Sequence, residues 1–284
     1  MYAITGVTGH VGGATARALR EADVPYRAVV RDPRKGAGHP ETAVADFADR
    51  PALAAALSGC AGAFVMLPTL PGGDDAAHRA LADAIAGAVA DSGVPHVVML
   101  SSLGADLAEG NGPVRWLHHL ESRLRDTGSR VTAIRSPHFQ EKVEEILGAA
   151  TGAGVYPVFG DADVPVPMVA TRDIGTTAAA ALVSPPEDSE VVDLVAPEYT
   201  ERQVAGELGE LLGRELEVVS LPREAWLGAL TDSGVPPLLA AELAELYDAA
   251  NRGVLQPRGD RRHVCATGIS ATLRECAAPT TPAG

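Results

Sequence analysis

Residues 1–13 read MYAITGVTGHVGG: a short apolar run, Tyr2–Thr5, followed at once by four glycines in eight positions, Gly6, Gly9, Gly12 and Gly13. Ordering a glycine costs more backbone entropy than ordering any other residue, so a cluster this tight marks a place where backbone must approach something closely. It lies between an expected first strand and an expected first helix, Val11–Ala22. There a doubly wound sheet receives a pyrophosphate, on free N–H groups and at the positive end of the helix dipole. Read as GxxGxxG, Gly6 serves the tight turn, Gly9 the close approach of backbone, and Gly12 the packing of helix near sheet. Thr8 adds a hydroxyl to the phosphate or to the loop. Strand-to-helix turns also use glycine for steric reasons alone; the position at the head of an alternating chain favours phosphate binding.

That alternation runs through the first half of the chain. Strands are expected at Tyr2–Thr5, Tyr26–Arg31, Ala43–Ala45, Gly62–Leu67, His96–Leu100 and Arg130–Ile134. Helices are expected between them, at Pro51–Ser58, Ala76–Ser92 and Pro113–Thr127, with another at Gln140–Ala149. Strand–helix alternation predicts an α/β fold, a Rossmann-type doubly wound parallel sheet. The unbroken apolar runs AFVML (63–67) and HVVML (96–100) suit strands buried on both faces. After Ala150 the pattern loosens into Gly-, Pro- and Asp-rich sequence, then resumes with helices and short strands. The expected organisation is a nucleotide-binding domain at 1–150, a smaller, interleaved α/β C-terminal lobe for substrate at 151–276, and a disordered tail at 277–284.

The second strand ends in VVRDPRK, with Arg31 at its tip and Arg34 and Lys35 just beyond. In such folds an acid here bonds the ribose 2′-OH, whereas a nearby arginine accommodates a 2′-phosphate. A basic cluster holding one of only two lysines, in a chain of net charge −14, favours NADP(H) over NAD(H). Asp32 competes as a ribose ligand, and a plain solvated basic loop is the bland alternative.

Composition narrows the rest. With 284 residues, 46% hydrophobic and 21% charged, the chain suits a globular protein with a large core. A field of −14 repels a phosphate backbone, so nucleic acid is not an expected partner. No run reaches the roughly 18 apolar residues of a membrane span, and a first strand at Tyr2 leaves no room for a leader; the expected location is cytoplasmic. The cysteines Cys60, Cys265 and Cys276 are scattered, with neither disulfide-framework nor zinc spacing, so no metal site is expected.

Four stretches together resemble the NmrA-like branch of the atypical short-chain dehydrogenase/reductase superfamily: ITGVTGHVGG…YRAVVRDPRK…VADFADRPALAAALSGCAGAFVML, HVVMLSSLGAD, RWLHHLESRLRDTGSRVTAIRSPHF and VATRDIGTTAAAAL. SGVPPLLAAELAELY and ATGISATL extend the resemblance over nearly the whole chain. It implies NAD(P)H in a cleft against a small substrate lobe. Position by position, it implies Gly6, Thr8, Gly9, His10, Val11 and Gly12 around the pyrophosphate and Arg31 on the 2′-phosphate. It also implies Asp46 and Phe47 beside the adenine, Leu67 and Pro68 near the ribose, and Ser101 and Ser102 near the nicotinamide.

The superfamily's usual acid is a Tyr-x-x-x-Lys pair on one helical turn. This chain has none: Arg31 precedes Lys35 by four residues and His138 precedes Lys142. Many NmrA-like proteins instead carry a Lys or His four residues before the glutamate corresponding to Glu121. Leu117 stands there and reads as core, in line with Leu120 and Leu124. That leaves His118, His119 and Ser102 as candidate donors, with surface histidines and a loop-turning serine as the bland alternatives. His138 and Tyr156 are expected as substrate contacts. Hydride delivery to an ordinary ketone makes a basic alkoxide and benefits from a positioned acid. A quinone yields a delocalised, weakly basic oxyanion. The expected activity is therefore NADPH-dependent reduction of a quinone-like or conjugated carbonyl, aromatic substrate, in secondary metabolism. A non-enzymatic NADP(H) sensor regulating a protein partner is the alternative. The apolar helix expected at Pro237–Asn251 serves either the core or a homodimer interface.

Overall fold

The computed structural model describes residues 1–278; positions 279–284, most of the expected disordered tail, lie outside the described residues, while Ala277 and Ala278 form a turn after the last helix. In chain order the strands are β1 (Tyr2–Thr5), β2 (Tyr26–Val30), β3 (Glu41–Val44), β4 (Gly62–Val65), β5 (His96–Ser102), β6 (Arg130–Ser136), β7 (His138–Phe139), β8 (Val155–Val158), β9 (Val166–Val169), β10 (Glu190–Val195), β11 (Glu198–Tyr199), β12 (Glu217–Ser220) and β13 (Arg261–Val264). The helices are α1 (His10–Glu21), α2 (Arg50–Leu57), α3 (Asp75–Ser92), α4 (Val114–Arg125), α5 (Leu147–Gly152), α6 (Thr171–Val183), α7 (Glu201–Leu212), α8 (Trp226–Asp232), α9 (Pro237–Asn251) and α10 (Ile269–Cys276).

Eight strands form one parallel sheet in the order β13-β10-β6-β5-β4-β1-β2-β3. Its register sets Tyr2 opposite both Tyr26 and Gly62, and carries His96–Ser102 alongside Arg130–Ser136 residue for residue. Parallel strands need covering helices on both faces. Leu53, Leu57, Ile85, Val89, Leu120 and Leu124 of α2, α3 and α4 pack on one face. Val11, Leu19, Ile174, Ala178 and Leu182 of α1 and α6 pack on the other. The contact between α1 and α6 is intimate: a Cβ on Gly175 would come 2.7 Å from the Ala14 carbonyl carbon. A third core cluster, with Tyr156, Met168, Leu208 and Leu273, lies beneath the sheets β11-β9-β7 and β12-β8.

Past residue 150 the chain thus supplies every strand of the small sheets except β7 and also returns to the large one, through α6, β10 and β13. β13 has no clear counterpart in the sequence pattern: all four of its side chains are exposed on an edge strand, so no alternation marks it. The helix expected at Gln140–Ala149 is instead a 3₁₀ segment, Gln140–Glu145, followed by α5. The Glu141 carboxylate leaves that segment to accept from the Thr171 N–H (2.9 Å) and hydroxyl (2.7 Å) at the start of α6. Arg223–Ala225 likewise forms a 3₁₀ turn, which runs on as α8. No helix among the described residues is long and apolar enough to cross a membrane.

Candidate cofactor crevice and active site

The strand order β3-β2-β1-β4-β5-β6 reverses direction between β1 and β4, and ligands of such sheets bind outside the carboxyl ends of the strands at that switch point. The residues singled out in the sequence leave these ends in spatial order. Asp46 and Phe47 follow β3, Arg31 follows β2, Gly6 follows β1, Leu67 and Pro68 follow β4, Ser101 and Ser102 close β5, and His138 follows β6.

At the centre, Gly6 has φ +65°, in the left-handed region, and a Cβ there would also meet Met66 Sδ at 2.5 Å. Gly12 is excluded from carrying a side chain by backbone: its Cβ would lie 2.5 Å from Gly6 C and 2.6 Å from Thr5 O. Gly9 differs. Its Cβ would meet only Gly6 O, at 3.5 Å, an ordinary contact, and the residue is exposed. The packing of the protein itself therefore does not require glycine at position 9. No side chain caps α1 at Gly9, whereas Asp49, Asp74 and Thr200 cap α2, α3 and α7. Uncapped N-terminal amides at the positive end of a helix dipole can receive an anion. Thr8 and His10 are exposed beside it, and Val11 is buried. His10 Nε2 lies 3.1 Å from Glu144, which reaches across from the 140–145 segment.

In the basic cluster, Asp32 caps the turn Pro33–Gly36 by accepting from Arg34 N, and holds the Arg34 guanidinium at 2.7–3.0 Å. That pairing lowers the Asp32 pKa and removes Arg34 as a free cation. Arg31 and Lys35 are exposed and belong to no ion pair among the described residues. The Asp46 carboxylate is exposed and accepts from Ala48 N at 2.9 Å, while Phe47, Leu67 and Pro68 are half-buried.

The candidate donors do not converge. Ser101 is buried, and its hydroxyl donates to Glu121 at 2.6 Å, beneath the crevice. Glu121, 1% exposed, also accepts from Arg135 Nε (2.9 Å) and Nη2 (2.7 Å) and from Arg125 (3.2 Å). Burial opposes the Arg135 charge, but those bonds, with Asp106 and Asp193 nearby, raise its pKa above the ordinary arginine value. Ser102 is half-buried and donates to Leu103 O at 3.1 Å. His118 Nδ1 lies 2.8 Å from Ala105 O, on the loop after β5, leaving Nε2 unclaimed by that contact. His119 turns away into the α3–α4 seam, 3.0 Å from Asp83 and 3.4 Å from Arg79. Leu117 packs on the core.

On the opposite wall, Tyr156 is 4% exposed and donates to Glu201 at 2.7 Å. Burial, reinforced by the Glu201 charge and that bond, raises its pKa far above the usual tyrosine value. His138 is exposed, yet protein crowds it so closely that desolvation lowers its pKa, with Lys142 adding to the shift and Glu201 and Glu145 opposing it. Sequence reasoning passed over Tyr247 of α9, which shares Glu145 and Glu201 as neighbours with His138 and stacks on Phe159 at 4.8 Å. The signal available was an aromatic residue at the end of SGVPPLLAAELAELY, in a chain with only 4% aromatics.

Comparison with known proteins agrees with this geometry. A family model described as NAD(P)H-binding matches residues 6–185. The chain is 30% identical over 259 residues to an NAD(P)H azoreductase of Xenophilus azovorans, covering 88% of this chain and 87% of that one. It is 27% identical over 266 residues to quinone oxidoreductase 2 of Escherichia coli (strain K12), covering 90% of each. The fold matches the NADPH complex of the Escherichia coli NADPH-dependent quinone oxidoreductase QOR2 with a TM-score of 0.81 at 23% identity, over 97% of this chain and 99% of that chain. It matches Citrobacter sp. triphenylmethane reductase complexed with NADP(H) with a TM-score of 0.76 at 23% identity, over 99% and 96%. The glycine loop at the switch point is where the family match begins, and the chain belongs to this NAD(P)H-binding family.

Proposed function

We propose that this protein is an NADPH-dependent reductase of quinone-like, conjugated acceptors, a cytoplasmic member of the NmrA-like branch. The observation that carries the reading is the pairing of an open anion cradle at Gly9 and α1 with relatives, alike over nearly their full length, that are an NAD(P)H azoreductase and a quinone oxidoreductase. Residues 1–150 supply most of the cofactor side, and residues 151–276 the substrate side.

The bound nicotinamide supplies a hydride. The chain's residues do the rest. Gly6, Gly9 and Gly12 allow the amides of His10, Val11 and Gly12 to face the diphosphate, with Thr8 and His10 beside it. Arg31 and Lys35, left free by the Asp32–Arg34 pair, meet the 2′-phosphate and favour NADPH over NADH. Asp46 and Phe47 bound the adenine, and Leu67 and Pro68 the ribose. The backbone of Ser101 and the hydroxyl of Ser102 border the nicotinamide, with His118 behind them. His138 and the wall containing Tyr156 border the acceptor. None of these is a strong acid, which suits an acceptor whose reduced oxygen is weakly basic.

The test is NADPH oxidation followed by nicotinamide absorbance with a panel of quinones and saturated ketones. Turnover of quinones in preference to ketones is expected. Turnover of ketones alone would overturn the acceptor assignment, and tight coenzyme binding without any turnover would point to a regulatory role.

A further inference from the structure

Three aromatic rings meet where the C-terminal helices close over the carboxyl end of the sheet. Phe159, just after β8, stacks on Tyr247 with centroids 4.8 Å apart and planes inclined by 22°. Trp226 sets its edge against both, at 6.3–6.4 Å. The Trp226 indole is anchored by donating to Leu221 O at 2.9 Å, and Asn251, at the end of α9, donates to Phe159 O at 3.1 Å. Trp226 is buried, while Phe159 and Tyr247 are half-buried and retain surface.

The helix carrying Tyr247 is fixed against the cofactor side. Arg115 of α4 donates to Asp75 (2.9 Å) and through two nitrogens to Glu242 of α9. A Cβ on Gly112 would strike α9 backbone, at 3.0 Å from Leu246 N and nearer still to Glu242 O. The loop following β5, beside the expected nicotinamide position, is therefore pressed against the turn of α9 that precedes Tyr247.

The two tyrosines on this wall are in different states. The Tyr156 hydroxyl is committed to Glu201. The Tyr247 hydroxyl has no hydrogen-bond partner among the described residues, though it lies near Glu145 and Glu201, whose charges also act on His138. A half-buried phenol whose hydroxyl keeps solvent access and has no protein partner among the described residues has a donor free to meet a ligand.

Resting on the acceptor class proposed above, we infer that Tyr247 is the hydrogen-bond donor that meets the carbonyl oxygen of the acceptor, while its ring and Phe159 fix the plane of the acceptor's ring. Burial, together with Glu145 and Glu201, pushes the phenol pKa up to about 12, so it stays protonated as a donor throughout the neutral range. The acceptor takes up a hydride, hence two electrons, from the reduced nicotinamide and one proton from water; the tyrosine proton is shared and never consumed. The donor strengthens its bond as negative charge develops on the oxygen, so it lowers the barrier and not only the binding energy.

Tyr247→Phe keeps the ring and its stacking and removes the hydroxyl. Unchanged NADPH affinity is expected, with quinone kcat/KM lowered by about tenfold or more. The loss should grow across a quinone series as the reduced oxygen becomes more basic, a trend that a packing defect would not produce. Equal rates, or a uniform loss across the series, would overturn the assignment. If the native protein reduces no quinone, the acceptor reading fails, and 1,4-naphthoquinone binding to the coenzyme-loaded protein, read by quenching of tryptophan fluorescence, decides this point separately. Weaker binding in Tyr247→Phe supports the donor; equal binding, or none to the native protein, overturns it.

Discussion

Two alanine substitutions one helical turn apart separate what the glycine loop does for the fold from what it does for the ligand. In Gly12→Ala the new methyl would sit 2.5 Å from Gly6 C and 2.6 Å from Thr5 O, all backbone. Carbon contacts relax only beyond about 3.5 Å, so α1 and the loop must part by about 1 Å. The helix cannot retreat, because Gly175 already brings α6 against Ala14. Overpacking of this kind costs about 1–3 kcal/mol, and the displaced amides should weaken NADPH binding by about tenfold or more. In Gly9→Ala the methyl meets only Gly6 O at 3.5 Å and the backbone, at φ −103°, is ordinary for any residue. Stability should fall by less than about 1 kcal/mol, the difference between glycine and alanine at an N-cap. Coenzyme affinity should nonetheless fall by about tenfold, about 1.4 kcal/mol, because the methyl intrudes on the diphosphate. Urea denaturation gives the first quantity and titration calorimetry with NADPH the second. Native coenzyme affinity in Gly9→Ala would refute the placement of the diphosphate, and native stability in Gly12→Ala would refute the packing argument.

Arg31→Glu should weaken NADPH by about tenfold or more while changing NADH little, since a charge-assisted phosphate contact is lost only with the former; equal losses in calorimetry would remove the case for 2′-phosphate recognition. Glu121→Gln should destabilise the protein by about 3 kcal/mol, because it removes the bidentate partner of buried Arg135 and leaves only Asp106, at 3.9 Å, as a paired charge; a denaturation shift below about 1 kcal/mol would contradict that role. His96 is wholly buried, and desolvation lowers its pKa to about 4 from 6.5. Its neutral form is favoured in the fold, so its contribution is complete above about pH 6.5 and is lost as pH falls toward about 4, about 3 kcal/mol in all. His96→Gln should flatten the pH dependence of unfolding in that window, and an unchanged slope would contradict the assignment.

The opening strand, the glycine turn, the helix after it and the alternation to β6 are legible in the sequence. Each is written in short-range terms: a left-handed φ at Gly6, apolar runs of strand length, and apolar stripes on helices. Even the location of the crevice follows, because connections in a parallel sheet place every strand's carboxyl end at one edge. Which side chains face that crevice was not legible. Ser101 and Ser102 are neighbours of one type, yet Ser101 donates to buried Glu121, 20 residues away, and Ser102, half-buried, donates to the adjacent Leu103 O. His118 and His119 part in the same way, one to Ala105 and the other to Asp83. Tyr156 and Tyr247 look alike in the sequence, but the fold buries the first and bonds it to Glu201, while the second stacks on Phe159. The addition of β10 and β13 to the large sheet is another long-range choice, made by pairing of β10 to β6 and of β13 to β10 and not by any local pattern. Backbone conformation is decided by nearest neighbours along the chain, whereas the partner of a hydroxyl, an imidazole or an edge strand is decided by whatever packing brings within about 3 Å. The first is determined by the sequence alone, and the second exists only once the chain is folded.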